Sequence, residues 1–310
     1  MRVVFMGTPD FAVPSLQALL EGGHEVAAVF TQPDRPAGRG KQLKLSPVKV
    51  FALETGVKVR QPYKIKDPLA VAELKELNPD CIVVVAYGQI LSRAILDIPR
   101  FGCINVHASL LPQYRGAAPI HWAVMNGDSV TGVTTMLMDE GLDTGDILLQ
   151  REYAIEPDET TGEVHDALAE MGGRLLIRTL DALAGRAVTP RPQGDEYNYA
   201  ALLSRKHEQI VWERSAWEVH NQIRGLNPWP GAYTNFQGEG LKIWRSRVIS
   251  QNGDPLVQPG QIIGVEPDGI FVQTGEGILK LLEVQPAGKR PMSARDFFNG
   301  RHISIGETFN

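Results

Sequence analysis

The sequence predicts a parallel α/β domain followed by a small all-β domain. Three observations lead there. Through about residue 188, short apolar runs alternate with helical periodicity and Gly or Pro breaks, the pattern of a parallel sheet with crossover helices. The run Cys81–Ala86 (CIVVVA) is apolar throughout, as a strand buried on both faces is. From residue 207 onward, short strand-like runs recur at regular spacing between Gly-rich turns, which suits a small β-barrel.

The elements follow in order. Arg2–Met6 reads as the first strand, Gly7-Thr8-Pro9-Asp10 as a turn, and Phe11–Leu20 as a helix stopped by Gly22-Gly23. Glu25–Thr31 is the second strand. Ser46-Pro47 supplies an N-cap and first helical residue for a helix to Glu54. Val57–Gln61 is a short strand, Leu69–Leu77 a helix ended by Pro79, and Cys103–Val106 a strand after the CIVVVA run. Ala117–Met125 is helical, Thr131–Met138 and Ile147–Ile155 are strands, and Thr161–Ala184 is a long amphipathic helix. Pro190, Pro192 and Gly194 then break every period, so 189–206 reads as a linker between domains at 1–188 and 207–310. In the second domain Ser215-Ala216-Trp217-Glu218 is a capping box, opening a helix that ends near Leu226. Strands are expected at Gly231–Phe236, Leu241–Ile249, Gln261–Glu266, Gly269–Gln273 and Gly277–Val284, with a short helix at Ser293–Asn299. Five such strands suggest a barrel of the oligonucleotide-binding (OB) type.

Composition narrows the function classes. The 310 residues are 43% hydrophobic and 22% charged, as in a soluble globular protein. No run of ~18 apolar residues occurs, so no membrane partner is expected. Cys81 and Cys103 sit in apolar runs and read as buried thiols in a reducing compartment. With no signal-peptide pattern at MRVVFMGTPDF, the expected location is cytoplasmic. G-x-G-x-x-G and Walker motifs are absent, and the seven histidines lack metal-site spacing, so no metal is expected. Charge is uneven. Thr31–Lys66 holds nine Lys or Arg against Asp34 and Glu54, in a chain whose net charge is −5. A locally basic segment on an acidic protein points to a polyanionic partner engaged at one place, with a solvated loop as the plainer alternative.

The chemistry concentrates in C103-INVHASLLPQYRG-116. Asn105 and His107 lie two residues apart on a strand, so an amide and an imidazole share one face at the strand's C-terminal end. Open α/β sheets hold ligands there. Asp139-Glu140-Gly141-Leu142-Asp143-Thr144-Gly145-Asp146 follows another strand, and two glycines let its backbone bend tightly. One of its carboxylates beside His107 would orient the ring and pair with its protonated form.

NVHASLLPQYRGAAPI together with GLDTGD closely resembles the signature of the folate-dependent formyltransferases. The likeness extends to FMGTPDFAVPSL, FTQPDRPAGRGK, SPVKV, VVVAYGQIL, GLNPWPGAYT and QPAGKRPMSARDFFNG, and so to the branch of the family that acts on tRNA. It implies a Rossmann-like catalytic domain followed by an OB-like, tRNA-supporting domain. It implies a catalytic trio of Asn105, His107 and Asp143, with 10-formyltetrahydrofolate as formyl donor and methionine esterified to initiator tRNA as acceptor. Ser109, Leu110, Leu111 and Pro112, the backbone of Tyr87, Gly88, Gln89 and Ile90, and that of Asp139 to Asp143 should line the folate pocket, with Thr134 a further candidate. The loop Pro33–Lys49 would meet the acceptor stem through Arg35, Arg39, Lys41 and Lys44. Its three prolines and two glycines argue against regular structure there. Residues 207–310 carry ten Lys or Arg against eleven Asp or Glu, so tRNA contacts there need a local patch. Lys242, Arg245, Arg247, Lys280, Lys289 and Arg290 are the candidates. A monomer is expected. Two alternatives stay open: a formyltransferase acting on a small amine such as a sugar nucleotide, and a non-catalytic RNA-binding protein on the same fold.

Overall fold

The structure is a computed structural model, and it describes residues 1–37 and 42–310, with nothing said of the side chains of Ala37 and Gln42. The chain divides into two compact units. One holds Met1–Gly116, Thr131–Tyr153 and His165–Ala200; the other holds Ala117–Val130, Ala154–Val164 and Ala201–Asn310.

The elements run β1 (Arg2–Gly7), α1 (Val13–Glu21), β2 (Glu25–Phe30), β3 (Arg35–Ala37), β4 (Gln42–Lys44), α2 (Pro47–Glu54), β5 (Val59–Arg60), α3 (Pro68–Leu77), β6 (Cys81–Val85), α4 (Arg93–Leu96), β7 (Cys103–His107), β8 (Arg115–Gly116), α5 (Pro119–Met125), β9 (Val130–Leu137), β10 (Ile147–Ala154), α6 (Thr161–Ala184) and β11 (Tyr199–Ala200). The first unit is built on a seven-stranded sheet in the order β10-β9-β7-β6-β1-β2-β5. β1, β2, β5, β6 and β7 run parallel. β9 runs antiparallel to β7, so the sheet is mixed rather than wholly parallel. The run Cys81–Val85 is buried at every position, as its unbroken apolar sequence requires.

The cap read at Ser46 is formed, and the structure adds one at Asp67. Ser46 accepts the Lys49 N–H with Pro47 at the first helical position, and Asp67 accepts the Leu69 N–H ahead of Pro68. α6 covers one face of the sheet. A Cβ added at Gly172 would lie 3.0 Å from Val106 Cγ1, and one at Gly173 would lie 2.8 Å from the Pro14 carbonyl, so these small residues permit the close approach. Val106 faces α6, and its neighbours Asn105 and His107 therefore face the other side.

The segment expected to lack regular structure contains a ladder. β3 and β4 pair antiparallel, with Arg35 opposite Lys44 and Pro36 opposite Leu43. Proline opposes a central strand but is tolerated in an edge ribbon, where its missing N–H faces solvent. Arg39 and Lys41 lie outside the described residues.

In the second unit, α7 (Arg205–Glu208), α8 (Ala216–Gly225), β12 (Ala232–Phe236), β13 (Glu239–Ser250), β14 (Ile262–Glu266), β15 (Gly269–Gln273), β16 (Ile278–Pro286), β17 (Met292–Ser293) and α9 (Ala294–Gly300) follow. The antiparallel sheet has the order β12-β13-β16-β15-β14, with β17 on β16. C-terminal residues bridge its two edges: Asn310 exchanges backbone hydrogen bonds with Asn235, and Ile262 N–H donates to the Glu307 carbonyl. The barrel closes around an apolar core that includes Trp212, Ile223, Ile243, Leu281 and Phe309. Among the described residues no helix is long and apolar enough to cross a membrane.

Candidate active site

β7 carries Asn105 and His107, both under a tenth exposed, onto one face of the sheet. Cross-strand register sets them against Met136 and Thr134 of β9. Asp143 reaches both from the loop after β9. Asn105 Nδ2 donates to Asp143 Oδ1 at 3.3 Å, and His107 Nδ1 stands 3.7 Å from Asp143 Oδ2, an ion-pair distance beyond hydrogen-bond reach. The Gly116 N–H donates to the same Oδ2 at 2.9 Å. His107 Nε2 lies 2.9 Å from the Tyr114 carbonyl. A carbonyl only accepts, so Nε2 carries hydrogen. The protonated ring places one hydrogen toward Tyr114 and the other toward the carboxylate.

The loop holding Asp143 is built by close approach. A Cβ at Gly145 would lie 1.8 Å from the Leu137 carbonyl, which only glycine allows. Asp139 accepts from the Gly141 N–H at 3.0 Å and from Thr144 Oγ1 at 2.7 Å, so its carboxylate folds the loop while remaining exposed. The sequence singles out Asn105, His107 and Asp143, and the structure brings all three together. Tyr114 and Gly116 escape a sequence reading because they act through backbone atoms, which no side-chain pattern advertises. Their place in the same QYRG run is the one available clue.

The residues assigned to the folate pocket divide by orientation. Ser109 is buried, and its hydroxyl donates to the Gln113 carbonyl at 2.6 Å. Leu111 is buried, while Leu110 and Pro112 are partly exposed. Thr134 is saturated inside the fold. It donates to the Ser109 carbonyl at 2.7 Å and accepts from Leu111 N–H and Gln150 Nε2, each at 3.0 Å. Its hydroxyl shapes loop 109–111 and is not free to meet a ligand. Tyr87 is buried with its hydroxyl unpartnered, and desolvation raises that phenol's pKa well above the usual value. Gly88 sits at φ +83°. The Gln89 side chain turns inward, accepting from Ile65 N–H at 2.7 Å. Ile90 and Leu142, by contrast, are 82% and 58% exposed. Each is an apolar side chain left exposed in an assigned loop.

The basic segment also divides. Lys49 is committed to Asp34 at 2.5 Å and to Gln61, and the Lys49 bond, with one that Gln61 Nε2 donates to Asp34 at 2.9 Å, holds the Asp34 carboxyl below its usual range. Arg60 is paired with Glu73. Arg35 and Lys44 are exposed and directly opposite on the β3–β4 ladder. Like charges so placed repel, and an anion between them would relieve the repulsion. Both line a cavity of about 500 Å³ with Thr8, Gln32, Ser46, Tyr87 and Gly88. In the second unit, Lys280 is paired with Glu266 at 2.9 Å and with Asp268. Lys242 donates to the Pro230 carbonyl at 2.6 Å. Arg245 and Arg247 line a cavity of about 440 Å³ whose wall also holds Glu156, Asp158, Glu159 and Glu163, so its charge is mixed. Lys289 is exposed at a β-turn and Arg290 follows it.

Cys81 and Cys103 are free and buried, and desolvation pushes the Cys103 thiol up to about 12. Among the described residues no group of three or more His, Cys, Asp or Glu side chains is arranged to hold a metal ion.

A mixed α/β sheet with an Asn–His–Asp cluster at a strand end, followed by an antiparallel barrel, has a family match. Residues 1–180 match the family model described as formyl transferase, and residues 202–302 match that of the formyl transferase C-terminal domain. The chain belongs to the formyl transferase family. Within it, the chain is 56% identical over 307 residues to the methionyl-tRNA formyltransferase of Pelotomaculum thermopropionicum, covering 99% of this chain and 97% of that protein. It is 54% identical over 308 residues to that of Moorella thermoacetica, covering 99% and 98%. Among solved structures, WlaRD, a sugar 3N-formyl transferase, superposes with a TM-score of 0.65 at 20% identity over 94% of this chain and 99% of its own. HypX from Aquifex aeolicus gives 0.65 at 16% identity, covering 99% of this chain and 48% of HypX. These last two likenesses are of fold.

Proposed function

We propose that this protein transfers the formyl group of 10-formyltetrahydrofolate to the α-amino group of methionyl initiator tRNA, giving formylmethionyl-tRNA for translation initiation. The observation that carries this reading is the likeness to methionyl-tRNA formyltransferases along the whole chain, barrel included. The protein works as a monomer in the cytoplasm, and no metal takes part.

The donor supplies a formyl carbon activated by its bond to N10. The chain's residues do the rest. As the amine nitrogen bonds to that carbon, the formyl oxygen becomes an oxyanion. Asn105 uses one amide hydrogen on Asp143 and has its second for the oxyanion. A donor so placed contributes about 3 kcal/mol in the transition state. His107, held between Tyr114 and Asp143, brings a positive edge to the same spot when protonated. To move a proton it must exchange one of those partners for the amine. The bond from carbon to N10 then breaks, one amine proton passes to N10, and atoms and charge balance.

Incubation with 10-formyltetrahydrofolate and charged initiator tRNA, with formylmethionine assayed after deacylation, tests the reading. An amino-sugar nucleotide serves as the rival acceptor. Formylation of the sugar alone would establish the small-amine alternative, and binding of tRNA without turnover would establish the non-catalytic one.

A further inference from the structure

We infer that Gln193, backed by Arg115, is a positioning residue that holds Asp143 against Asn105 and His107. The inference rests on the catalytic role proposed for Asp143. Gln193 belongs to the proline-broken stretch that reads as linker in the sequence. Its side-chain amide is instead a hub within the first unit. Nε2 donates to the Asp143 carbonyl at 2.9 Å and to the Gly145 carbonyl at 2.7 Å. Oε1 accepts from Arg115 Nε at 3.0 Å and from Arg115 Nη2 at 2.7 Å. Both amide hydrogens and both oxygen lone pairs are thereby used. A guanidinium only donates and a carbonyl only accepts, so the amide fits in one orientation.

The bonds fall where the backbone needs them. Asp143 sits at φ +54°, a conformation L side chains rarely adopt. Two carbonyls tied to one amide fix the loop on either side of Thr144 and keep Asp143 in that state. Arg115 gives the hub its rigidity. It is 6% exposed, and its guanidinium stacks 4.4 Å from the Tyr197 ring centroid. A charged donor polarises the amide it binds and strengthens the bonds on the far side. The next residue, Gly116, donates its N–H to the Asp143 carboxylate. Residues 115 and 116 thus grip Asp143 twice, through its backbone by way of Gln193 and directly at its carboxylate. Asn198 anchors the same strand, accepting the Tyr114 N–H on its side chain and the Arg115 N–H on its carbonyl.

The side chain must be a glutamine. Asparagine is one methylene short, glutamate sets oxygens against two carbonyls, and leucine offers no bond. The test is a double-mutant cycle in the full-length protein under saturating single-turnover conditions. Gln193→Glu keeps its pairing with Arg115, and Gln193→Leu breaks both sides. Each should lower the formyl-transfer rate 10- to 100-fold with KM for folate and tRNA within twofold. In an Asp143→Ala background the same changes should alter the remaining rate less than twofold. Arg115→Lys, which cannot fork onto Oε1, should follow the same pattern and serves where a Gln193 variant fails to fold. Unchanged rates, equal losses in both backgrounds, or a raised KM at normal rate would each overturn the inference. A wild-type protein without formyl transfer would instead overturn the proposed function.

Discussion

Asp143→Asn preserves shape and removes one charge, and the structure sets the size of its effect. The carboxylate accepts from the Gly116 N–H at 2.9 Å and the Asn105 amide at 3.3 Å, and stands 3.7 Å from His107 Nδ1. An asparagine has one oxygen. Turned toward Gly116, it sets its own NH2 against the Asn105 NH2; turned the other way, it sets that group against the Gly116 N–H. Either way a largely buried donor loses its acceptor, at a cost of about 1–3 kcal/mol. His107, when protonated, also loses its counter-charge. If about 3 kcal/mol of this falls on the transition state, formyl transfer slows by roughly 10²-fold, since each ~1.4 kcal/mol is tenfold. The assay is single-turnover transfer at saturating folate and charged tRNA, with a thermal melt of the same preparation. A rate within threefold of wild type, alongside a lowered Tm, would exclude a part for this charge in the transition state. It would make the carboxylate a structural brace.

Three further outcomes are expected. His107→Ala should reduce turnover by on the order of 10²–10³ with an unchanged circular dichroism spectrum, and near-normal single turnover would remove the ring from the chemistry. Arg35→Ala with Lys44→Ala should weaken tRNA binding and flatten its dependence on salt by about one unit of slope for each phosphate no longer engaged, whereas an unchanged slope would mean the ladder touches no phosphate. His220, bonded to Ser246 Oγ at 3.0 Å and to the Pro157 carbonyl at 3.1 Å, has its pKa lowered from 6.5, chiefly by burial. The unfolded chain regains the ordinary value and binds the proton first, so the stabilisation is complete above pH 6.5 and is lost as pH falls through the folded value. Tm should drop between pH 7.5 and 5.5, less so in His220→Gln, and identical slopes in the two proteins would exclude this origin.

The Asn105–His107 pair was legible because strand alternation leaves a mark in a one-dimensional pattern, whereas Asp143 stood out from the other acidic residues of its Gly-rich turn only through the family resemblance. Asn105 and His107 share a face by period, and Gly141 and Gly145 announce a tight loop. The capping residues Ser46 and Ser215 were equally plain, since a cap is a local hydrogen bond. The β3–β4 ladder was not, because prolines mark loops and edge ribbons alike. Nor was the antiparallel course of β9 along β7, because strand direction is set by pairing across the sheet.

Read alone, the sequence marked what each segment could become and which side chains are candidates for the chemistry. Periodicity, capping and the apolar run of β6 are properties of neighbours in the chain. The tertiary structure decided which of those groups are free to act. It committed Lys49, Lys280 and the Thr134 hydroxyl to partners inside the fold, and left Arg35, Lys44, Ile90 and Leu142 exposed. It turned Gln193 from a linker residue into the hub beneath Asp143, across 50 residues of chain. The physical reason is that a buried polar atom must find a partner, and that partner is chosen by proximity in space, which the order of residues does not encode locally.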